Sequence, residues 1–268
     1  QDYTVEGFST VIYTGNGGTQ YIGGTGFKPD LVWTKLRSQA GSHSLADSIR
    51  GGTKVLRSDL TDAEVTRADH IQSFDTDGFT IGADGTSNLN GRTNVAWCWD
   101  MGGSNATNTN GSITSTVRAN PTYGQSIVSY TGTGSNATIG HGLSSAPEMI
   151  IVKNRSSTSE WITYHASLGN TKFLALDTTS AVEDAIEAWN DTTPTSNLFT
   201  VGTSNSINND SMIAYCFHSV SGYSKFGSYT GNGSATGTVV TTGFAPAFVM
   251  IKVADRTDGG SGGWFMYD

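Results

Sequence analysis

Apolar positions in this chain come in short bursts of four to seven residues, bounded by Gly, Asn, Asp and Ser. That is the pattern of β-strands joined by turns. Phe79-Thr80-Ile81-Gly82 alternates, as a strand with one wet face does. Leu31-Val32-Trp33 and Met149-Ile150-Ile151-Val152 do not alternate, so they predict strands buried on both faces. Two places break the pattern. Thr61 with Glu64, and Ser180 with Glu183, have capping-box spacing, in which a hydroxyl caps a helix and a carboxylate answers three residues later. Val182, Ala185, Ile186 and Trp189 then fall at helical spacing, with a thinner version over residues 63–71. The expected fold is all-β: mainly antiparallel β-sandwich or jelly-roll-like units, each with one short helix.

The bursts recur. Tyr13-Thr14-Gly15-Asn16-Gly17 returns as Tyr130-Thr131-Gly132-Thr133-Gly134 and as Tyr229-Thr230-Gly231-Asn232-Gly233. Each is followed by a proline (Pro29, Pro147, Pro246) and an apolar run ending in lysine (Lys35, Lys153, Lys252), so three of the five prolines share one position. Val95-Ala96-Trp97-Cys98-Trp99 matches Ile213-Ala214-Tyr215-Cys216-Phe217, at the same 118-residue offset that separates Lys35 from Lys153. A unit of roughly 95 residues exceeds the repeats of solenoids and propellers and suits a small domain. The expected organisation is a first unit over residues 1–99, a polar linker with room for an extra strand over 100–125, a second unit over 126–218, and the start of a third over 219–268. Proline lacks a backbone N–H, so each of the three should stand where a strand begins. Strands over 226–229 and 248–253, closing with 264–268, should be covered by the second unit, by a neighbouring subunit or by further chain, because open strand edges aggregate.

Composition narrows the function. Only 14% of residues are charged, against roughly 25% in an average globular protein, and the net charge of −8 argues against a nucleic-acid partner. No apolar run approaches the roughly 20 residues that span a bilayer. The 2 cysteines, Cys98 and Cys216, occupy matching positions in separate units, so they read as buried thiols rather than a disulfide. His43, His70, His141, His165 and His218 show no metal-site spacing. Asp75 and Asp77 are the best carboxylate pair for glycan cleavage, but Thr195-Ser196-Asn197 replaces them in the second unit, and Glu183, Asp184 and Glu187 lie on the expected helix. No catalytic residue is assigned and the chain is read as a non-enzyme.

Binding chemistry is better represented. Trp97, Trp99 and Trp161 could stack on sugar rings, with Asn88, Asn90 and Asn208 offering amides to sugar hydroxyls. Asp84, Asn88, Asn90 and Asp210 place hard oxygen donors in matching loops, which makes calcium the one cofactor those loops admit, without EF-hand spacing.

The motif series from Tyr-Thr-Gly-Asn-Gly through Gly-Phe-x-Pro to Asp-Gly-Phe-Thr-Ile-Gly and Val-Ala-Trp-Cys-Trp, with residues 111–121 between copies, resembles a repeat of tailed-bacteriophage structural proteins, closest in style to those of marine and cyanobacterial phages. The resemblance implies a multimeric, β-rich tail-fibre or appendage component on the virion surface. Its implied partners are other virion proteins, copies of itself and host surface polysaccharide. The third copy departs from the pattern, since it lacks the Asp-Gly-Phe-Thr and Ala-x-Cys runs. A carbohydrate-binding module, a capsid decoration protein and a glycan depolymerase are the alternatives.

Overall fold

The computed structural model describes residues 7–255 and 262–268; residues 1–6 and 256–261, parts of the expected first and third units, lie outside the described residues. Regular structure is almost entirely antiparallel β. In the first lobe β1 (Phe8–Thr14), β9 (Thr93–Trp99), β3 (Leu31–Leu36) and β4 (His43–Asp47) form a four-stranded sheet in that order. A smaller sheet of β2 (Gln20–Gly23), β8 (Gly78–Ile81) and β7 (Ile71–Asp75) covers one face. The hairpin β5 (Lys54–Val55) and β6 (Val65–Thr66) joins β4 through a Leu45/Leu56 bridge.

The second lobe follows the same order of pairing. Its main sheet runs β12 (Gln125–Thr133), β19 (Asn209–Phe217), β14 (Met149–Asn154), β15 (Ile162–His165), β16 (Lys172–Ala175) and β17 (Glu183–Asp184). β13 (Ala137–Gly140) and β18 (Leu198–Val201) cover it. Registers agree too: Val32 faces Cys98 and Ile150 faces Cys216, while Lys35 faces Val95 and Lys153 faces Ile213. The polar stretch between lobes supplies β10 (Ala106–Asn108) and β11 (Ser115–Asn120), which widen the second sheet beside β12. A third antiparallel pair, β20 (Val249–Lys252) and β21 (Trp264–Tyr267), ends the chain.

Alternation along each main strand sorts its side chains between two cores. Val32, Ala96 and Cys98 face the small sheet of the first lobe with Tyr13, Phe79 and Ile81; Ile150, Ala214 and Cys216 do the same in the second. The opposite faces meet each other. Leu31, Trp33, Val95 and Trp97 from one lobe and Met149, Ile151, Ile213 and Tyr215 from the other share a core, against which Phe248, Met250, Trp264 and Met266 of the terminal hairpin pack. This is why the apolar runs do not alternate. Both cysteines are free and buried, and the three prolines each lie two or three residues before β3, β14 or β20.

Local expectations fared unevenly. The one α-helix among the described residues, Ile186–Trp189, lies in the second lobe, and its N-cap Ala185 makes no side-chain capping bond. The first lobe's expected helix is replaced by β6, because Glu64 gives its N–H to the Arg155 carbonyl and its carboxylate to Arg155 and Arg50 instead of capping. Residues 226–229 form no strand, and Tyr229 is exposed. The repeated tyrosine and glycine have a physical reason in the two complete lobes. Tyr13 Oη donates to the Ser87 carbonyl and Tyr130 Oη to the Ile207 carbonyl, each at 2.5 Å. A Cβ on Gly15 or Gly132 would lie 2.4 or 2.3 Å from the backbone of the same loop, so only glycine lets the chains approach.

Candidate junction site

The residues singled out from sequence are spread over the molecule. Asn88 is fully buried: its Nδ2 donates to the Gly82, Gly18 and Asn16 oxygens, and its Oδ1 accepts from the Asn16 N–H. Asn208 repeats this with Gly202, Ser135 and Thr133. Asp84 Oδ1 accepts from the amides and hydroxyls of Thr86 and Ser87. Asn90 and Asp210 are exposed in separate lobes. Asp84 Oδ1 and Asn88 Oδ1 are therefore already engaged, while Asp84 Oδ2 is buried without a partner among the described residues; no group of three or more His, Cys, Asp or Glu converges among the described residues. Trp161 is wholly buried, so it presents no open ring face to a sugar, and Trp99, partly buried, packs on Phe8 and Phe248. Trp97 stands at the edge of a cavity.

That cavity, of about 400 Å³, opens where three parts of the chain meet. The first lobe contributes Trp33, Lys35, His43, Asp59 and Trp97; the second gives residues 176–179; the terminal hairpin gives Met250, Trp264 and Met266. His43 stacks on Trp97 at a 15° interplanar angle and accepts the Trp33 indole N–H on Nδ1 at 2.9 Å.

Around the cavity the parts are fastened by recurring contacts. From the second lobe to the first, Trp161 Nε1 donates to the Arg57 carbonyl at 2.9 Å and Lys153 Nζ to the Thr61 carbonyl at 3.2 Å. From the hairpin to the second lobe, Trp264 Nε1 donates to the Ala175 carbonyl at 3.0 Å and Lys252 Nζ to the Thr178 carbonyl at 3.1 Å. Glu64 N–H to Arg155 O, and Val182 N–H to Ala254 O, complete the two sets. We call each Lys/Trp pair a clasp. A buried ion network lies beside the first: Arg50 bonds Asp47 at 2.5 Å and Glu64 at 3.1 Å, and Arg155 grips Glu64 through two bonds of 2.9 Å. Tyr215 Oη adds a bond to Asp47 from the second lobe at 2.8 Å.

Residues 4–268 match the model of a family described as a domain of unknown function, DUF7483. The chain belongs to that family. Comparison with curated proteins and with solved structures returned no match. The family's description names no chemistry, and the junction is where the side chains of this DUF7483 chain converge.

Electrostatics there are set by burial. Burial pushes His43 down to about 4, with Lys35 acting in the same direction and Asp59 opposing both. Burial likewise brings Lys153 down to about 8, although Asp177 and Asp62 oppose the shift, and its ammonium is met by the Thr61, Asn154 and Ser157 carbonyls and the Ser159 hydroxyl. Burial raises Asp177. The His43 shift has a testable sign. Unfolded His43 binds a proton near its ordinary 6.5 and the folded ring only near 4, so its contribution weakens stability as pH falls from 6.5 to 4. His43→Phe should flatten the stability–pH slope in that window by close to one proton, measured by urea unfolding at successive pH values; an unchanged slope would place a protonated ring at the cavity.

Sequence reading treated Lys35, Lys153 and Lys252 as alignment marks and missed that two of them hold neighbouring parts together. Their recurrence at the end of each apolar run was the available signal. Arg50 gave none, because nothing local marks a buried arginine.

Proposed function

We propose that this chain is a non-enzymatic structural or adhesive component of a bacteriophage virion, a tail fibre or appendage, built from two and a half copies of one β unit. The observation that carries the reading is the recurrence of the clasp. One set of contacts joins the first lobe to the second, and its counterpart joins the second lobe to the hairpin. Units joined by one rule, through faces as apolar as a domain core, form a rigid body rather than beads on a linker. That is what a spacer or adhesive scaffold requires.

The charge pattern agrees with a particle surface: few charged residues, a net charge of −8, and many hydroxyl and amide side chains. The working partners are other virion proteins, copies of this chain and, at the exposed loops, host polysaccharide. The test is to locate the chain with gold-labelled antibody on purified phage particles. Label on tail fibres or appendages is expected. Label over the capsid shell would make it a decoration protein, and absence from washed particles would overturn a virion role. Turnover of host polysaccharide by the purified protein would overturn the non-enzymatic reading.

A further inference from the structure

Among the described residues the chain carries three clasp positions but only two segments for them to hold. Lys35 faces His43 across β3 and β4, as Lys252 faces Trp264 across β20 and β21. Trp161 stands one step before β15, where the register continues to Lys153. The segments held are residues 57–61, under Trp161 and Lys153, and residues 175–178, under Trp264 and Lys252. The first lobe's own clasp holds nothing. Lys35 Nζ turns back onto the Leu36 and Gly41 carbonyls beside it. His43 accepts from Trp33 on Nδ1, so the neutral ring carries its proton on Nε2, which has no partner among the described residues.

A second donor is left over at the same place. Trp97 is 4% exposed, lines the cavity, and its Nε1 has no hydrogen-bond partner among the described residues. Its register counterpart in the second lobe is Tyr215, since Trp97 faces Trp33 as Tyr215 faces Ile151. Tyr215 gives its hydroxyl to Asp47 of the neighbouring lobe. A buried indole N–H without an acceptor gives up its hydrogen bond to water and gains none in return. The terminal part shows the complementary lack: Tyr229 and Gly231 keep the Tyr-Thr-Gly motif, yet Tyr229 is 49% exposed and a Cβ on Gly231 would meet open space.

We propose that the cavity is the seat of a third held segment, an extended stretch of the 57–61 and 175–178 kind belonging to the third unit, whose backbone carbonyls accept from His43 Nε2–H and Lys35 Nζ and which supplies an acceptor to Trp97. The three units then close into a ring in which each clasps the one before it. A second folded copy of this chain cannot supply the segment, because both of its own are already clasped. The proposal rests on the repeat equivalence, and the location of the chain on a particle leaves it untouched.

The test titrates the intact protein with a synthetic peptide of residues 172–184, following the indole Nε1–H resonance of Trp97 and the imidazole nitrogens of His43 by NMR. A saturable downfield shift of the Trp97 resonance is expected. A scrambled peptide should give none, His43→Phe should weaken binding at least fivefold, and His43→Trp, the residue at the other two clasps, should restore it. A free peptide must be ordered on binding, so a second arm extends the chain after Asp268 with residues 166–218, which raises the effective concentration to the millimolar range. The extended chain should show the same Trp97 shift and a higher unfolding midpoint than one bearing a scrambled extension. The proposal is overturned if neither arm shifts Trp97, if scrambled sequences act equally, or if a neutral oligosaccharide saturates these resonances and the peptide does not.

Discussion

Replacing Arg50 with leucine is expected to destabilise the protein by about 3–5 kcal/mol. The magnitude follows from what the guanidinium leaves behind. Its side chain has no solvent exposure and bonds the carboxylates of Asp47 and Glu64, the carbonyls of Leu45 and Lys54, and the hydroxyl of Tyr215. Leucine satisfies none of these, and removing one member of a buried ionic cluster strands the others in a medium that solvates charge poorly. Arg57, which meets Asp62 at 3.7 Å with the carboxylate side chain 55% exposed, is the control, and Arg57→Leu should cost well under 1 kcal/mol through its ion pair. Urea unfolding at pH 7 measures both. The pH dependence adds a check. Burial alone would raise Glu64, but the Arg155 hydrogen bonds and the Arg50 and Arg155 charges outweigh it and hold the carboxyl below its ordinary 4.5. That contribution is present above 4.5 and is lost as pH falls through the lower folded value. The gap between wild type and Arg50→Leu should therefore narrow in acid.

Much of this architecture was legible because it is written in patterns that sequence displays. Non-alternating runs such as Met149-Ile150-Ile151-Val152 demanded cover on both faces, and each main sheet has it: its own small sheet on one side and the other lobe on the other. The prolines located β3, β14 and β20, and the 118-residue offset set β3 against β14. What stayed hidden depends on distant partners. Thr61 and Glu64 have the spacing of a capping box, and only the arrival of Arg155 from the second lobe turns that stretch into β6. The asparagines looked like sugar or calcium ligands because an amide's chemistry is the same whether it meets solvent or a loop carbonyl. Asn88 and Asn208 spend it on holding their own loops. The cavity was beyond reach, since its wall is assembled from three parts of the fold that no local spacing connects.

Trp161 is where those two readings of an aromatic residue part most sharply. A tryptophan that stacks on sugar should be dispensable for folding: alanine there would abolish binding and leave the unfolding midpoint unchanged. The fold predicts the reverse. Trp161 has no exposed surface, belongs to the core the two lobes share, and donates Nε1–H to the Arg57 carbonyl at 2.9 Å and the Leu60 carbonyl at 3.2 Å. Trp161→Ala should cost about 3–5 kcal/mol, from lost burial and the cavity left between lobes. Trp161→Phe keeps most of the packing and leaves the carbonyls short of a donor, so about 1–2 kcal/mol is expected. Trp264 makes the corresponding bond to the Ala175 carbonyl but is only partly buried, and Trp264→Ala should cost less than half as much as Trp161→Ala. That ordering, full clasp above partial clasp and indole above phenyl, is specific to a contact that fastens one lobe to the next. If urea unfolding instead finds Trp161→Ala within 1 kcal/mol of wild type, the two lobes do not share a core, and the ring of clasped units goes with it.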